Sequence, residues 1–344
     1  MLLYMSFKTS NQNMGIKNLN HFLLDNCSKT SIRKIHLSEL KGKTLVIDTS
    51  IYLYKFSLKS ELLENMYLFV SLMHQHDITP IFVFDGKPPD EKNELLQQRK
   101  ITKDEAEKKY NLLAMSVNST SISKHQRSEI QTKMDSLKTQ FVRITNTQIK
   151  QVKDLLVAYG IEYYESIHES DELCALLVKT GKAWGCFSDD MDMFIYDCPY
   201  VIRGVSLMNQ TVFLYDKAAI LTDLELSNKL FQEIMILSGT DYNIHSKTSL
   251  YDTVMWLYEY RKYLKNYSNK DKETTKKPLE FFVWLVKHTK YIEDYSRLLH
   301  IYKMFILDIS EDTSIPIYKN HIVPYGINMN SLKHIMRDEG FIFL

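Results

Sequence analysis

Short apolar runs that end among acidic residues recur along the chain. They are TLVI (44–47) before Asp48, PIFVF (80–84) before Asp85, and the runs within YGIEYYES (159–166) and KAWGCFSDD (182–190). Short apolar runs bounded by polar residues are typical of buried strands. Two segments between these strands have the spacing of amphipathic helices, TQIKQVKDLLVAYG (147–160) and ESDELCALLVKTG (169–181). The alternation predicts an α/β fold with a mostly parallel central sheet flanked by helices.

Two regions depart from this alternation. Residues 90–150 are rich in charge, and their pattern predicts two helices separated by the Ser/Thr-rich stretch SVNSTSIS (116–123). From about Lys217 onward the pattern is mainly helical, and the polar stretch 265–278 is predicted to be a loop.

Composition narrows the class of protein. The 344 residues are 44% hydrophobic and 25% charged, with a net charge of +1, as expected for a globular chain without an overall bias toward nucleic acid. No apolar run is long enough to span a bilayer, and the N-terminus lacks the features of a secretion signal. The four cysteines show no C-x-x-C spacing and are predicted to be reduced and structural. We therefore expect an intracellular protein.

Acidic residues gather at the predicted strand ends. They are Asp48, Asp85, Glu169, Asp171, Asp190, Asp192 and, after the apolar run IMILSGT, Asp241. An isolated acidic cluster such as DDMD is more often a solvated loop. Carboxylates converging on one sheet edge would repel each other unless cations neutralise them, and a site made only of oxygen ligands favours Mg²⁺ or Mn²⁺ over zinc. Two such ions are suited to phosphodiester hydrolysis, because they activate a water and stabilise the leaving oxygen.

Six blocks of sequence, in order, resemble the motifs of the structure-specific 5′ nuclease superfamily, most closely its flap endonuclease (XPG-like) branch. They are MGIKNL (14–19), VIDTSIYLYKF (46–56), VFDGKPP (83–89), HESDELCALLVKTGK (168–182), SDDMD (188–192) and LSGTDY (237–242). The resemblance implies a PIN-like nuclease core with two Mg²⁺ ions, for which Mn²⁺ can substitute. Asp48, Asp85, Glu169 and Asp171 would hold the first ion, and Asp190, Asp192 and Asp241 would complete the second. The family more often has Glu at position 171, which leaves Glu172 as an alternative ligand.

Basic residues follow Asp85. The spacing of Lys92, Arg99 and Lys103 would place them on one helical face, although a solvated helix would have a similar pattern because many acids accompany them. The resemblance gives Lys92 and Arg99 a catalytic role, contacting the scissile phosphate. It also places Tyr54 where the family stacks an aromatic ring on a base; core packing is the alternative for Tyr54.

The resemblance assigns residues 104–141 to a helical cap that admits single-stranded 5′ ends. Basic residues that could line it are Lys108, Lys109, Lys124, Arg127, Lys133 and Lys138. The expected division of the chain is an N-terminal extension (1–13), an N-terminal nuclease region (14–103), the cap (104–141), an internal nuclease region with a remodelled duplex-binding helical motif (142–260) and a C-terminal helical region (261–344). Either Met14 is the start, or residues 1–13 must lie away from the DNA.

Three departures from the family limit what the resemblance implies. The segment between Asp48 and Asp85 is shorter, which puts the preference for double flaps in doubt. The stretch NIHSKTSLYDTVMWL after Tyr242 has no glycine where the family has a Gly-x-Gly turn that binds duplex DNA. The C-terminus FIFL lacks a sliding-clamp motif, so no clamp partner is predicted.

The leading hypothesis is a Mg²⁺-dependent 5′ flap endonuclease and 5′→3′ exonuclease that acts on branched or nicked DNA with a free 5′ end, in replication, repair or recombination. One alternative is a junction-resolving or mainly exonucleolytic member of the superfamily. Another is a catalytically inactive DNA-binding scaffold, and a disfavoured one is an exoribonuclease. The diverged sequence and its Lys-, Asn- and Ile-rich composition suggest a viral protein, acting in the nucleus or at a cytoplasmic viral replication site.

Overall fold

The computed structural model describes residues 16, 18–58, 61–117, 124–243, 247–270, 277–307, 318–321 and 326–342. These residues form one eight-stranded sheet with the strand order β1-β7-β6-β5-β2-β3-β4-β8. The strands are β1 (Ile32–His36), β2 (Thr44–Asp48), β3 (Thr79–Phe84), β4 (Tyr163–Ser166), β5 (Gly185–Phe187), β6 (Tyr200–Ser206), β7 (Thr211–Asp216) and β8 (Tyr318–His321). The five central strands, from β6 to β4, run parallel, and the outer strands pair antiparallel. The predicted α/β class with a mostly parallel central sheet is confirmed.

Helices cover both faces of the sheet. They are α1 (Leu19–Asn26), α2 (Thr49–Ser57), α3 (Leu62–Gln75), α4 (Asn93–Val117), α5 (Lys124–Lys138), α6 (Asn146–Tyr159), α7 (Ser170–Lys179), α8 (Lys217–Asp223), α9 (Asn228–Leu237), α10 (Leu250–Lys270), α11 (Phe281–His288), α12 (Tyr295–Met304) and α13 (Met329–Asp338). None of the helices in the described ranges is long and apolar enough to cross a membrane.

The buried hydrophobic residues form two clusters, and successive side chains of β2 enter them alternately. Leu45 and Ile47 pack into one cluster with α2, α3, α6 and α13, while Val46 packs into the other with α1, α7, α8, α9, α10, α11 and α12. All three side chains are fully buried. A strand buried on both faces requires a continuous apolar run, as TLVI provides.

The structure also corrects the predicted elements. Strands β1, β6, β7 and β8 were not predicted. Three of them, β1, β7 and β6, pair antiparallel at one edge of the sheet, where a short turn joins β6 directly to β7. The predicted loop at 265–278 is wrong for residues 265–270, because α10 continues to Lys270. Ring contacts follow one another along this helix, from Tyr260 to Tyr263 and from Tyr263 to Tyr267. The packed face of α10 therefore extends into the polar stretch. Residues 271–276 lie outside the described part of the chain.

The region predicted as a cap contains α4 and α5, which pack against each other. Helix α4 begins at Asn93 and therefore crosses the expected boundary at residue 104 without a break. Residues 118–123 between the two helices are outside the described ranges. The division into functional regions stays a prediction.

Candidate active site

The carboxyl ends of neighbouring parallel strands bring the predicted acids to one edge of the sheet. Asp48 ends β2, Asp85 directly follows β3, and Glu169 lies just after β4 and precedes α7, whose first turn carries Asp171. Because β2, β3 and β4 are adjacent and parallel, their ends open toward the same crevice.

The remaining acids come from the next strand and from α9. Asp190 and Asp192 follow β5, and Asp190 caps a short 3-10 turn by accepting a 2.8 Å hydrogen bond from the Asp192 backbone N–H. Asp241 lies just beyond the end of α9. Asp192 is only 2% exposed, so this part of the site is largely shielded from water.

Two serine hydroxyls hold the carboxylate of Asp48. Ser170 Oγ donates to Asp48 Oδ1 at 2.9 Å, and Ser188 Oγ donates to Asp48 Oδ2 at 3.0 Å. The Ser170 backbone N–H also donates to Asp85 Oδ1 at 2.8 Å. Ser170 therefore orients two acids from two different strands, a contribution that the sequence analysis missed.

Gly86 allows the loops after β3 and β4 to lie against each other. Its N–H donates to His168 O at 2.6 Å, and the Lys87 N–H donates to Ile167 O at 2.9 Å. A Cβ atom at position 86 would lie 2.1 Å from Ser166 O and 2.4 Å from Ile167 O. Both obstacles are backbone atoms, so only glycine permits the approach that places Asp85 beside Glu169.

Two cations and a tyrosine lie among the acids. Lys92 Nζ is 2.6 Å from Glu169 Oε2 and 3.8 Å from Asp241 Oδ2, while Arg99 donates to Asp241 Oδ2 at 2.9 Å. Tyr242 donates its hydroxyl to Glu169 Oε2 at 3.1 Å, and Lys92 Nζ lies 4.8 Å from the centre of the Tyr242 ring. Burial alone would lower the pKa of Lys92, but the surrounding carboxylates outweigh burial and hold this pKa above its usual range.

The common helical face predicted for the basic residues is wrong in one respect. Lys92 lies in a short 3-10 turn, Asp90–Lys92, immediately before α4, whereas Arg99 and Lys103 lie on α4 itself. The turn directs Lys92 into the acid cluster, where it is only 5% exposed. Lys92 and Arg99 nevertheless converge on the same carboxylate, that of Asp241.

Burial and mutual repulsion raise the pKa of several acids in the cluster. Burial, followed by the charge of Asp85, raises the pKa of Asp48 to about 8, even though the two serine hydroxyls oppose the shift. Burial also raises the pKa of Asp171, Asp190 and Asp192, and neighbouring carboxylates reinforce the increase at each of them. Each of these carboxyls feels the charge of others in the cluster, as expected if they share one crevice.

These acids fit a site for hard divalent cations. Within the described ranges, no three His, Cys, Asp or Glu side chains are already arranged around a point to hold an ion, and Glu169 and Asp241 are bonded to Lys92 and Arg99. However, the buried Oδ1 of Asp192 has no hydrogen-bond partner among the described residues. An unpartnered buried carboxylate oxygen beside further carboxylates is the donor chemistry that Mg²⁺ or Mn²⁺ requires.

Asp189 has a different environment from its neighbours in DDMD. Its carboxylate accepts from Lys55 Nζ at 3.0 Å and from the Gly204 N–H at 2.7 Å, and its backbone O accepts from Arg203. Burial would raise the pKa of Asp189, but the charges of Lys55 and Arg203 and the Gly204 hydrogen bond lower it. Asp189 therefore anchors the loop that presents Asp190. The sequence analysis missed the contact between Lys55 and Asp189, and the position of Lys55 next to Tyr54 was its only indication in the sequence.

Asp171 lies among the candidate ligands. Burial raises its pKa, and the charges of Asp190 and Asp48 reinforce the increase. Asp171 and Glu172 both act on the pKa of Tyr196. The choice of Asp171 over Glu172 as the ligand stays a prediction.

Tyr54 is on the surface and not in the core. It is 39% exposed, whereas Tyr52 and Phe56 on the same helix are buried. Tyr52 and Phe56 therefore pack in the core, and Tyr54 does not. Lys103 Nζ lies 4.7 Å from the centre of the Tyr54 ring and donates to Val142 O at 3.2 Å.

The basic residues predicted to line the cap are solvent-exposed. Lys108 and Lys109 lie on α4, and Arg127, Lys133 and Lys138 lie on α5; the side chain of Lys124 is outside the described set. Arg143, which the sequence analysis missed, forms ion pairs with two acids in the middle of α4, Asp104 at 2.7 Å and Glu107 at 3.0 Å. Their roles in DNA binding stay predictions.

Comparison with known proteins first defines the fold. The structure resembles the catalytic core of Rad2, with a TM-score of 0.62 and 21% identity over 95% of this chain and 96% of that one. It also resembles human GEN1 in complex with Holliday junction DNA, with a TM-score of 0.56 and 16% identity over 95% of this chain and 73% of that one. Similarity at this level of identity establishes a shared fold.

The family follows from sequence. Residues 14–106 match the XPG N-terminal domain and residues 160–241 match the XPG I-region, which together account for just over half of the chain. Flap endonuclease 1 of Drosophila grimshawi is 30% identical over 250 residues, covering 67% of this chain and 60% of that protein. Flap endonuclease 1 of Methanococcus aeolicus is 29% identical over 229 residues, covering 62% and 66%. The chain belongs to the structure-specific 5′ nuclease superfamily, and the matches span about three fifths of the length of the first of these relatives.

Proposed function

We propose that this protein is a Mg²⁺-dependent 5′ nuclease that cleaves DNA phosphodiesters at junctions between single and double strands. The convergence of carboxylates from β2, β3, β4, β5 and α9 on one crevice, with Lys92 and Arg99 among them, is the observation that carries the proposal. Membership of a superfamily that includes flap endonucleases supports 5′ flap cleavage and 5′→3′ exonuclease action. Such an activity would serve DNA replication, repair or recombination.

The acids at the sheet edge are the proposed ligands. Asp48, Asp85, Glu169 and Asp171 would hold one Mg²⁺, and Asp190, Asp192 and Asp241 would complete a second site. When bound, two divalent cations activate water for attack and stabilise the charge that develops on the leaving oxygen. Mn²⁺ has the same preference for oxygen ligands and would substitute.

Lys92 and Arg99 would bind the scissile phosphate. Both side chains already contact carboxylates in the crevice, so they lie where an anionic group is stabilised. A phosphate arriving there would replace a carboxylate as their partner, and their charges would favour the more negative transition state. Tyr54, exposed beside Lys103, would stack on a base next to the cleaved bond.

The connection between α9 and α10, residues 238–249, is the proposed contact with duplex DNA. It begins beside the active site, because Asp241 lies within it. It lacks the Gly-x-Gly turn of the family, so its hold on the duplex must rest on other contacts. The exposed basic residues of α4 and α5 would in turn guide a single-stranded 5′ end.

The test compares wild-type protein with Asp192→Ala on fluorescently labelled single-flap, double-flap, nicked, gapped and four-way-junction DNA. Glu172→Gln is the matched control, because Glu172 is an acid of α7 next to Asp171 that the proposal leaves outside the ligand set. We expect wild type and Glu172→Gln to cleave near the flap base in Mg²⁺, with no cleavage in EDTA or by Asp192→Ala.

The ranking of substrates distinguishes the remaining candidates. Preferential cleavage of four-way junctions, or removal of single nucleotides from nicks, would favour a junction-resolving or exonucleolytic member of the superfamily. If wild type binds these DNAs but cleaves none of them in Mg²⁺ or Mn²⁺, the proposal is wrong and the protein is a DNA-binding scaffold.

A further inference from the structure

Two of the proposed metal ligands are already paired with cations of the chain itself. Glu169 Oε2 lies 2.6 Å from Lys92 Nζ and accepts from the Tyr242 hydroxyl at 3.1 Å. Asp241 Oδ2 accepts from Arg99 at 2.9 Å and lies 3.8 Å from Lys92 Nζ. The ammonium of Lys92 is therefore shared by two carboxylates, which the proposed function assigns to two different ions.

The surroundings of Lys92 resemble those of a bound ion more than those of a surface lysine. Its side chain is only 6% exposed, and its Nζ lies 4.8 Å from the centre of the Tyr242 ring. A buried ammonium is stable only where negative charge surrounds it. Lys92 thus supplies part of the positive charge that the buried acids require when no divalent ion is bound.

Asp192, in the same crevice, is in the opposite condition. It is 2% exposed, and within the described ranges its Oδ1 has no hydrogen-bond partner. Lys92 and Arg99 therefore satisfy Glu169 and Asp241 but leave a buried carboxylate oxygen for an ion that enters from solution. The cations of the chain neutralise one part of the acid cluster and not the other.

We propose that Lys92 is a resident counter-cation: its ammonium takes the place of a divalent ion between Glu169 and Asp241, and both carboxylates become available as ligands only when it leaves them. This inference rests on the proposed function, because the group that draws Lys92 away is a phosphate of the DNA substrate. The flexible four-carbon stem of lysine lets the ammonium move while the turn Asp90–Lys92 stays in place. Divalent ions and DNA therefore strengthen each other's binding by the same factor.

The first test measures Mn²⁺ binding without DNA, from the electron paramagnetic resonance signal of the free ion. Lys92→Met keeps an unbranched side chain but removes the charge, so it should bind Mn²⁺ about tenfold more tightly than wild type. Arg99→Met should also bind Mn²⁺ more tightly, and its side chain is 36% exposed, so the substitution leaves the core intact. Lys100→Met removes an exposed charge from the same helix, α4, and should match wild type.

Thermal unfolding separates this role from a purely structural one. In EDTA, Lys92→Met should unfold at a lower temperature than wild type, because Glu169 and Asp241 lose the charge that stabilises them. In excess Mn²⁺ this deficit should disappear, because the ion then replaces the ammonium. An equal deficit under both conditions would mean that Lys92 only supports the fold, and it would overturn the inference.

Flap DNA with phosphorothioate linkages at the junction, which slow hydrolysis, tests the coupling to substrate. This DNA should tighten Mn²⁺ binding by wild type about tenfold, and by Lys92→Met much less. If wild type cleaves unmodified flaps but neither this DNA nor Lys92→Met changes the affinity for Mn²⁺, the inference is wrong although the protein is a nuclease. If no DNA is cleaved and Lys92→Met still binds Mn²⁺ more tightly, the nuclease proposal fails and Lys92 retains its role as a counter-cation.

Discussion

Replacing Asp192 with asparagine should stabilise the metal-free protein while abolishing cleavage. Asp192 is 2% exposed, and its Oδ1 accepts no hydrogen bond from the part of the chain that the structure describes. The charges of Asp190 and Asp241 add to burial in raising the pKa of Asp192. An asparagine would carry no charge, and its amide could donate to one of these carboxylates. We therefore expect a gain in stability at a position that the proposed reaction requires.

The magnitude follows from the unpartnered oxygen. Leaving one buried polar atom unsatisfied costs about 1–3 kcal/mol, so Asp192→Asn should raise the free energy of unfolding by about that amount. The same gain would raise the midpoint of thermal unfolding by about 2–6 °C, if the relation between stability and midpoint found for smaller domains holds at this length. The pKa of Asp192 is higher in the folded than in the unfolded chain, so its ionisation destabilises the protein as pH rises toward and through the folded pKa. The difference in the free energy of unfolding between Asp192→Asn and wild type should accordingly shrink below about pH 4.

Thermal unfolding in EDTA, followed by circular dichroism at several pH values, measures this effect. Asp197→Asn is the control of opposite sign, because Asp197 accepts from the buried Lys217 at 2.6 Å and the substitution removes the negative charge that stabilises this ammonium. Excess Mg²⁺ should stabilise wild type, by about 2.7 kcal/mol at a hundred times Kd, and Asp192→Asn much less. A less stable Asp192→Asn in EDTA at neutral pH would refute the idea that these acids repel each other.

Three further outcomes are expected. Asp171→Asn should abolish Mg²⁺-dependent flap cleavage in a gel assay, whereas Glu172→Gln should cleave like wild type; the reverse result would make Glu172 the ligand. Burial raises the pKa of Glu233 to about 7, so its ionised form destabilises the fold above that pH. In denaturant unfolding, Glu233→Gln should therefore have a free energy of unfolding up to about 3 kcal/mol above that of wild type at pH 8, and an equal one near pH 4. Tyr54→Leu should lower kcat/KM on flap DNA about ten- to hundredfold through lost stacking, while Tyr54→Phe should retain it.

The sequence predicted the part of the fold in which local pattern and burial coincide. TLVI and PIFVF are continuous apolar runs because β2 and β3 are covered on both faces, and each is followed at once by an acid. The strands that escaped prediction lie mostly at the edges of the sheet. In β1 the burial pattern is mixed, with Ile32 and Ile35 buried and the residues between them exposed, so its sequence gives no period that identifies a strand.

The partners of the acids could not be predicted, because they lie far away along the chain. Ser170 and Ser188 are 122 and 140 residues from Asp48, and neither belongs to a pattern that marks it as a donor. Likewise, DDMD presents adjacent acids without indicating which of them face the site. Only folding separates Asp189, which is bonded to Lys55, from Asp190.

The balance of charge in the crevice argues for catalysis over passive DNA binding. A scaffold gains affinity from positive charge facing the phosphates, and buried carboxylates oppose it. Here Lys92 and Arg99 are bonded to Glu169 and Asp241, which reduces the positive charge available to DNA. Burying carboxylates whose pKa is raised also destabilises the fold at neutral pH, as at Asp48. An arrangement that weakens both stability and DNA affinity is explained if the acids bind divalent cations that reverse the charge of the crevice.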